Sequence, residues 1–547
     1  MTEESTDPQG IPEPEGTSHT IDTDYEIGQD NVTASIGPFG LDFHNPVFVI
    51  SGLSVVAFVF FALALPEVAE SIFGALRPWL TSNFAWFFLS AGNIFVLFCL
   101  FLIVSPYGSV RLGGSEATPD YSYMGWFAML FAAGMGIGLM FYGVSEPMSH
   151  FSASLAGVTE EGGVRTDWAP LGAAAGDQAA ALELGMAATL YHWGLHPWGM
   201  YAVVALALAL FSYNKGLPLT IRSAFYPIFG ERVWGWWGHV IDVLAVFATL
   251  FGLATSLGYG ATQANAGLNM LFGLPMGTTT EVILITAITA VALVSVVRGL
   301  DGGVKVLSEL NMGLAFLLLL FVLIVGPTAA IISIFGSSIV AYIGDLPALS
   351  MPFGREDTNY MHGWTAFYWA WWISWSPFVG MFIARVSRGR TVREFIICVL
   401  LIPSFVCVLW FSVFGGTALT QFTEQGITAA SEAPLELKLF EMLAELPLAW
   451  FTSLIGIILV IVFFVTSSDS GSLVIDTITA GGKIDAPMPQ RVFWCCFEGA
   501  VAIALLVGGG LASLQAMVIS TGLPFTIVLL LMCWAILKGL AAERRVL

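Results

Sequence analysis

The sequence predicts an all-α membrane protein with twelve transmembrane helices, and its composition and the length of its apolar segments support that prediction. Hydrophobic residues make up 57% of the 547-residue chain and charged residues only 11%, which excludes an ordinary soluble domain. About 20 consecutive apolar residues cross a bilayer as a helix. Twelve such segments lie near residues 46–66, 84–105, 121–144, 189–211, 237–273, 280–298, 308–335, 362–384, 394–419, 450–473, 491–512 and 515–537. Because backbone in lipid must satisfy its own polar groups, the segments are expected to form a helical bundle.

The remaining residues divide into two tails and a few surface helices. Residues 1–45 contain ten acidic residues and no Lys or Arg, which is the reverse of a cleavable signal peptide and predicts a disordered acidic tail. Residues 46–537 are expected to form one transmembrane domain, and residues 538–547 a short tail. Segments 67–82 and 337–350 are predicted to be amphipathic helices on the outer surface.

The distribution of positive charge predicts the orientation. With the N-terminus inside, the inner loops and tail hold fifteen Lys and Arg residues, whereas the outer loops, including a long polar loop over residues 146–188, hold four. Cytoplasmic loops of membrane proteins carry the excess of Lys and Arg. Both termini are therefore predicted to be cytoplasmic, and the chain is expected in the cell membrane as a multi-pass protein.

The most informative motif is WAWWISWSPF, which occupies residues 369–378 of an apolar segment. Tryptophan in membrane proteins normally marks the two water interfaces. Here one helical face carries an aromatic column with the spacing i, i+4, i+7, i+8, i+11: Trp364, Tyr368, Trp371, Trp372 and Trp375. Pro377 follows and loosens the helix by removing a backbone donor. Such a column suits the wall of a cavity for a diffuse cation, such as a quaternary ammonium group.

Glycines interrupt the third segment at Gly134, Gly136 and Gly138. Alternating glycines destabilise a helix, and an unwound turn would free carbonyls for a cation and amides for a carboxylate. Close helix packing explains the same glycines equally simply, since Gly134 and Gly138 also form a small-xxx-small pair.

The fourth segment contains YHWGLHPWGMY over residues 191–201. Trp198 and Tyr201 share a helical face, and Pro197 is expected to kink the segment. Their aromatic rings either line a cavity or face lipid. His192 and His196 have a spacing that suits a metal, but no acidic residue lies between them, so no transition-metal site is predicted.

The tenth segment contains FFVTSSDSGS over residues 463–472. Hydroxyl and carboxyl groups inside a span are costly and usually functional. Thr466 and Ser467 offer neutral oxygens of the kind that Na⁺ prefers. The alternative is a polar helix end near the inner surface, which suits Asp469 and Ser470.

Four motifs in this order, FAAGMGIGLMFYGVSEP, YHWGLHPWGMY, WAWWISWSPFVGMFIARVSRGRTVREF and VTSSDSGS, resemble the betaine/choline/carnitine transporter family. The resemblance covers residues 46 to about 537. It implies a sodium-symporter-like bundle of two inverted five-helix repeats, helices 3–7 and 8–12, after two extra N-terminal helices, usually assembled as a homotrimer. Breakable helices at matching places in two halves are typical of such repeats.

The resemblance also implies roles for individual residues. The substrate box would consist of Trp193, Trp198, Tyr201 and Trp372, bordered by Trp371, Trp375 and the three glycines Gly134, Gly136 and Gly138. The path would be lined or gated by Phe141 and Phe382. One sodium ion would be held by backbone oxygens of Ala132, Met135 and Phe463 and by the hydroxyls of Thr466 and Ser467. Leu253 occupies the place of a threonine at a second sodium site of the family, which puts that site in doubt here.

Two absences favour glycine betaine as the substrate within that resemblance. Choline carriers of the family tend to place an aspartate at the position of Gly138, and carnitine exchangers place a basic residue in helix five, where this chain has none between Arg232 and Arg298. We therefore expect a sodium-coupled carrier of a zwitterionic quaternary ammonium compound, with no other cofactor and no nucleic-acid partner. The alternatives are uptake of ectoine, proline, choline or carnitine and, from another class, an intramembrane hydrolase using His192, His196 and Asp469.

Overall fold

A computed structural model describes residues 12–36, 39–298, 304–483 and 485–546, and most of them lie in α-helices. A β-hairpin, β1 (Asn31–Ile36) and β2 (Phe39–His44), precedes the bundle, and a smaller hairpin, β3 (Glu160–Glu161) and β4 (Val164–Arg165), lies in a later loop. The helices are α1 (Asn45–Ala64), α2 (Pro66–Val104), α3 (Tyr123–Gly134), α4 (Ile137–Ala156), α5 (Gln178–Trp193), α6 (Leu195–Ala209), α7 (Tyr226–Phe229), α8 (Trp236–Phe272), α9 (Thr278–Arg298), α10 (Val304–Val325), α11 (Thr328–Leu349), α12 (Thr358–Tyr360), α13 (Ala366–Val386), α14 (Val392–Gln425), α15 (Ala429–Glu432), α16 (Lys438–Ala444), α17 (Ala449–Thr479), α18 (Met488–Val507) and α19 (Leu511–Val546).

The predicted helical membrane fold is confirmed. Among the described residues, eleven helical spans are long and apolar enough to cross a membrane, and the bent pair α3 and α4 brings the number to twelve. The membership differs slightly from the prediction, because α11 is included while α13 is not. Tryptophan and serine lower the mean hydropathy of α13, and these are the residues of the motif that is most informative about function.

The third span is broken where the glycine cluster predicted. Its two halves, α3 and α4, meet at 66°, and the residues between them, Met135 and Gly136, have extended backbone. The fourth span also breaks, at Gly194, three residues before Pro197. A proline fits the first turn of a helix but clashes with the carbonyl four residues earlier, so α6 begins immediately before it.

The eighth span, in contrast, continues through its proline. Pro377 lies inside α13, which runs unbroken from Ala366 to Val386. The irregular turn precedes this helix, as one turn of π-helix over Met361–Thr365. The expectation that the third and eighth helices break alike is therefore not met.

Several predicted boundaries are corrected by the structure. The surface helix over 67–82 is continuous with the second span in the 39-residue α2. The surface helix over 337–350 begins earlier, at Thr328 in α11, because Pro327 ends the preceding helix. The outer loop over 146–188 shrinks to residues 157–177, since α4 extends to Ala156 and α5 begins at Gln178.

The two terminal tails are also corrected. Residues 12–36 and 39–44 are not a disordered tail, since they carry a β-hairpin and hydrogen-bond to loops of the bundle; residues 1–11, 37 and 38 lie outside the described residues. Aromatic and polar side chains such as Tyr25 give the segment contacts that its acidic composition did not suggest. Residues 538–546 continue α19 instead of forming a separate tail, since no proline intervenes and good helix formers such as Ala541 and Ala542 follow Gly539.

The most buried spans lie at the centre of the bundle. The span over Gln178–Asn214 includes α5 and α6, and 94% of the residues in its apolar 18-residue stretch are buried. The corresponding value for α8 is 83%. The windows of α1, α9 and α11 are at most 33% buried, as expected for helices that face lipid. The broken span of α5 and α6 therefore lies deep inside the protein.

Candidate substrate and ion sites

One cavity in the middle of the bundle is surrounded by four elements. They are the broken third span (α3 and α4), the broken fourth span (α5 and α6), α8 and α13. It is lined by Ala133, Gly134, Met135, Gly136, Ile137, Gly138, Leu139, Trp193, Pro197, Trp198, Tyr201, Ser256, Trp371, Trp372, Trp375 and Val379. All nine residues predicted to bind substrate are among them. The open alternative of lipid-facing aromatics is thereby excluded for Trp198 and Tyr201, which are 4% and 3% exposed.

Six aromatic side chains line the cavity, and some of their rings are nearly perpendicular to each other. We call these six residues and the space they enclose the aromatic box: Trp193, Trp198, Tyr201, Trp371, Trp372 and Trp375. The ring centroids of Trp193 and Trp372 are 4.8 Å apart with an interplanar angle of 76°. Trp198 and Tyr201 are 5.3 Å apart at 75°, and Trp371 stacks on Trp372 at 5.1 Å. Walls set perpendicular to each other present ring faces to the interior from more than one side.

The box offers ring faces but few hydrogen-bond donors, because the indole N–H groups point into the protein. Trp193 donates to a carboxylate oxygen of Glu146 at 2.7 Å, and Trp372 donates to the carbonyl of His192 at 2.8 Å. Trp375 donates to the carbonyl of Gly252 at 3.0 Å, and Trp371 to the hydroxyl of Ser256 at 3.2 Å. The rings offer a cation their faces and no hydrogen-bond acceptor, so the aromatic walls suit a cation that has no N–H group to donate.

The three glycines allow the backbone to approach this box. A Cβ atom on Gly134 would lie 3.4 Å from the Trp198 ring, whereas one on Gly136 would meet nothing within 4 Å. Gly136 also precedes the first residue of α4, and no side chain caps that helix. The first N–H groups of a helix lack intrahelical partners and carry partial positive charge. The start of α4 thus supplies an anion-binding element on one wall of the box.

The predicted sodium ligands lie on two elements, the end of α3, where Met135 lines the box, and α17. Ala132 and Met135 flank the end of α3, where the carbonyl of Ala132 accepts from the Met135 N–H at 3.2 Å. On α17 the Thr466 hydroxyl donates to the carbonyl of Phe463 at 3.3 Å, so two of the predicted oxygens are neighbours. Ser467 follows directly and is partly buried.

The two predicted gating residues do not line the box. Phe141 is fully buried and packs on Tyr259 with ring centroids 4.7 Å apart. Phe382 is 38% exposed and lies two turns beyond Trp375 on α13.

Sequence reasoning missed a buried network around Glu146, which had been assigned to the outer loop. This fully buried carboxylate accepts hydrogen bonds from the Trp193 indole and from the Tyr368 hydroxyl at 2.6 Å. Those two donors reach Oε2, whereas His192 Nδ1 and His150 Nε2 lie 2.5 and 3.1 Å from the other carboxylate oxygen, Oε1. The rule that intramembrane carboxylates are functional by default could have identified Glu146.

The two histidines of the fourth span have different partners. His196 contacts Asn93 at 3.0 Å, whereas His192 contacts Glu146 and Thr365. His192 and His150 do lie with Glu146 in a group whose ligand atoms are within 4.8 Å of one another, close enough for a metal. The short contacts to Glu146 are those of a hydrogen-bonded network, so the absence of a transition metal stays a prediction.

The family to which the chain belongs is shown by its similarity to known proteins. The sequence profile of the family described as "BCCT, betaine/carnitine/choline family transporter" matches residues 46–545. The chain belongs to this family. It is 68% identical, over 98% of its length and 97% of the relative's, to a glycine betaine/proline/choline transporter of Vibrio parahaemolyticus. It is 54% identical to glycine betaine transporter 1 of the same organism, over 96% of this chain and 99% of the relative, and 43% identical to a glycine betaine transporter of Bacillus subtilis, over 92% and 95%.

Membership of this transporter family confirms the recognition made from the four motifs and the prediction that the chain is not an enzyme. The hydrolase hypothesis also fails on geometry. Asp469 accepts a hydrogen bond from Ser295 on α9 at 2.6 Å, while His192 and His196 have their partners elsewhere. The three side chains do not form one catalytic group.

Proposed function

We propose that this transporter imports glycine betaine, or a closely related zwitterionic quaternary ammonium compound, in symport with sodium. The observation that supports this proposal best is the aromatic box, whose rings offer faces to a cation but no hydrogen-bond acceptor. A trimethylammonium group has no N–H and gains nothing from hydrogen-bond acceptors. It is attracted instead by the electron-rich faces of aromatic rings, and desolvated contacts of this kind contribute about 2 kcal/mol or more.

The carboxylate of the substrate would lie at the start of α4. The unpaired backbone N–H groups there favour an anion. A zwitterion with its ammonium among the rings and its carboxylate at the helix terminus uses both features of the cavity. Choline has no carboxylate, and at Gly138 this chain lacks the aspartate that would compensate for the charge.

The names of the relatives include substrates other than glycine betaine. The Vibrio parahaemolyticus protein at 68% identity is named for glycine betaine, proline and choline, and another relative at 53% identity is named for ectoine as well. Proline and ectoine carry N–H groups, for which the aromatic rings of the box offer no hydrogen-bond acceptor. We therefore infer that glycine betaine binds most tightly and the others more weakly.

A sodium ion would bind between the end of α3 and α17. Its binding would be coupled to transport of the substrate by alternating access. Ala132, Met135, Phe463, Thr466 and Ser467 supply five oxygens of the kind a hard cation prefers. A second sodium site is not proposed at Leu253, because its side chain packs against Gly471 of α17 and offers no oxygen.

Orientation and assembly belong to the same proposal. Ser18 in the N-terminal segment contacts Glu543 near the C-terminus at 3.2 Å, which supports both termini on one side of the membrane. The excess of Lys and Arg in the loops of that side favours the cytoplasm. We propose a homotrimer in the cell membrane on the resemblance to the family alone.

Uptake of labelled glycine betaine into proteoliposomes tests the proposal. Uptake should require a sodium gradient, should not be driven by a proton gradient instead, and should be competed more strongly by unlabelled betaine than by proline, choline or ectoine. Sodium-independent uptake would remove the coupling ion, and preference for a substrate with N–H groups would contradict the assignment of the box.

A further inference from the structure

Glu146 lies on α4 behind the aromatic box, and its side chain is fully buried. One carboxylate oxygen, Oε2, accepts hydrogen bonds from the Trp193 indole at 2.7 Å and from the Tyr368 hydroxyl at 2.6 Å. Trp193 is a wall of the box, and Tyr368 packs on Trp372, another wall, with ring centroids 5.9 Å apart. The carboxylate is therefore bonded to the back of the box and does not line its interior.

The other oxygen of Glu146, Oε1, faces two histidines. His192 Nδ1 lies 2.5 Å from it and His150 Nε2 lies 3.1 Å from it. His192 Nε2 also lies 2.9 Å from the Thr365 hydroxyl. A neutral His192 that donates from Nδ1 accepts from Thr365 with Nε2, so neither histidine needs a second proton to make its contacts. Four donors can thus converge on one carboxylate while both rings stay neutral.

The charge of this carboxylate has no basic partner. Within the described residues, no Lys or Arg forms an ion pair with Glu146, and the two histidines are its ion-pair contacts. An ionised carboxylate only accepts hydrogen bonds, which matches four donors. A buried charge is costly unless it is paired, and ionisable residues inside membrane spans often serve as counter-ions of ligands. A cation in the neighbouring box would supply the missing partner.

Trp193 connects Glu146 with the interior of the box. The N–H end of its indole bonds to Glu146, while the opposite edge, at Cη2, lies beside Gly138 at the start of α4. The ring between these two ends lines the cavity. A cation on such a ring lies within about 6 Å of its centroid, and hence roughly 8 Å from the carboxylate behind it.

The position of Glu146 along α4 also fits the orientation of a zwitterion. Glu146 follows Gly136 by ten residues, which corresponds to about 15 Å along a helix axis. The start of α4 attracts the carboxylate of the substrate, while Glu146, at the other end of Trp193, attracts its ammonium group and repels its carboxylate. Both features therefore favour the same orientation of the substrate.

We propose that Glu146 is a positioning residue for the substrate: its charge, held behind Trp193, is the counter-charge of the quaternary ammonium group and makes the box select a cation over a neutral group of the same shape. This inference rests on the proposed function for its ligand. At an effective dielectric constant of about 20, a unit charge roughly 8 Å away corresponds to about a tenfold to thirtyfold gain in affinity.

The test compares glycine betaine with its carbon isostere, tert-butylacetate. The two molecules have the same carboxylate and nearly the same shape, but a carbon atom replaces the ammonium nitrogen, so the isostere has no positive charge. Affinity for each is measured at constant sodium by titration of the intrinsic tryptophan fluorescence. The unmodified chain should bind betaine more tightly, and the ratio of the two affinities is the readout.

Glu146→Gln removes the charge and keeps the size of the side chain. Its amide oxygen can accept from Trp193 and Tyr368, and its two N–H groups can donate to the histidines in their other tautomer. Betaine should bind about tenfold more weakly or worse, whereas tert-butylacetate should bind nearly as before, so the ratio should fall by about tenfold or more. An unchanged ratio, whether both affinities fall or neither does, would show that Glu146 only holds Trp193 in place and overturns the proposal.

Substitutions at His150 test the charge without altering Glu146. His150 also lines a second cavity, beside Ser149 and Trp364, so a longer side chain has space there. His150→Lys places an ammonium one helical turn after Glu146, a spacing that favours an ion pair, and should lower the ratio as Glu146→Gln does. His150→Gln is the matched neutral control and should keep the ratio of the unmodified chain. This pair decides the proposal if Glu146→Gln does not fold, and equal ratios in the two variants overturn it.

Failure of the proposed function has a different signature. An unmodified chain that binds tert-butylacetate as tightly as betaine, or that does not bind betaine, contradicts the proposed function and the counter-charge with it. A preference for betaine that is the same in the unmodified chain, Glu146→Gln and His150→Lys supports cation recognition by the rings and overturns only the role of Glu146.

Discussion

A Cβ atom on Gly138 would lie 2.8 Å from Cη2 of Trp193, closer than real Cβ atoms approach a neighbour. The same atom would lie 3.2 Å from Cη2 of Trp371. Gly138 is thus the position at which the first turn of α4 contacts two walls of the aromatic box. Gly136, two residues earlier, has open space at its Cβ position, which makes the two glycines a matched pair.

Gly138→Ala is expected to weaken betaine binding by about tenfold or more, because overpacking of a filled site costs roughly 1–3 kcal/mol. Gly136→Ala should bind nearly as the unmodified chain does, since its backbone at φ −173° is open to any residue. Titration of the intrinsic tryptophan fluorescence with betaine measures both. Equal losses in the two variants would mean that backbone flexibility, not contact with Trp193, makes these glycines necessary.

Trp372→Leu keeps apolar bulk but removes one electron-rich face. Losing one desolvated cation–π contact of about 2 kcal/mol should weaken betaine binding roughly thirtyfold. Binding of proline should fall less, because its N–H groups can find other partners. An unchanged affinity for betaine would show that the rings serve packing and not recognition.

The control for this substitution has to be an exposed tryptophan. Trp369 is the first residue of the same motif, but it is fully buried and stacks on His196 with ring centroids 5.4 Å apart. Its replacement would therefore disturb the core. Trp450, at the start of α17, is 47% exposed. Trp450→Leu should leave the affinity for betaine unchanged.

Replacing Thr466 and Ser467 together with alanine should raise the sodium concentration required for half-maximal uptake by about tenfold or more. Each lost hydrogen-bonding oxygen at a cation corresponds to roughly 1.5–3 kcal/mol, and water can replace part of it. The control is Ser470→Ala, one turn further along α17. Sodium dependence that is unaltered in the double variant would move the ion site away from α17.

Docking of the N-terminal segment, residues 12–36 and 39–44, on the bundle should weaken in acid through His44. Burial and the neighbouring Arg222 and His239 lower the pKa of His44 to about 3, and Arg222 donates to its ring at 3.2 Å. The docked state keeps His44 neutral, whereas the undocked state gains a proton below its ordinary pKa of about 6.5. Stability of docking is therefore present above that pH and is lost as pH falls, by roughly 2 kcal/mol at about pH 5.

Amide exchange of residues 40–44 between about pH 7 and pH 5 measures this loss, after correction for the intrinsic exchange rate. Asp30, whose carboxylate lies 3.6 Å from the His44 ring, reduces the effect but does not reverse it. His44→Gln keeps an acceptor for Arg222 and cannot titrate, so its protection should not depend on pH in this range. Protection in the unmodified chain that is constant over the range would contradict the prediction.

The sequence predicted the parts of the protein that depend on composition and on short motifs. Apolar segment length predicted a helical membrane bundle, and the four motifs predicted the transporter family. The aromatic residues and glycines that surround the cavity could also be named, because rings at helical spacing beside Pro377 and three glycines within five residues are local patterns.

The sequence failed where long-range contacts override local preference. The N-terminal segment has the charge of a disordered tail, yet Tyr25 packs on Trp234, more than 200 residues away. Pro377 was expected to loosen its helix, yet α13 continues through it among the central helices. Glu146 had no role by itself, because its partners come from two other spans, at His192 and Tyr368.

The sequence by itself thus determined that this protein is a twelve-span transporter of its family with a cavity lined by aromatic rings. Only the tertiary structure decided the direction of the indole N–H groups, the contact between Gly138 and Trp193, and the attachment of the N-terminal segment to loops of the bundle. The physical reason is that periodicity and composition act over a few residues, whereas hydrogen bonds, ring contacts and ion pairs depend on atoms that the fold brings together from distant parts of the chain.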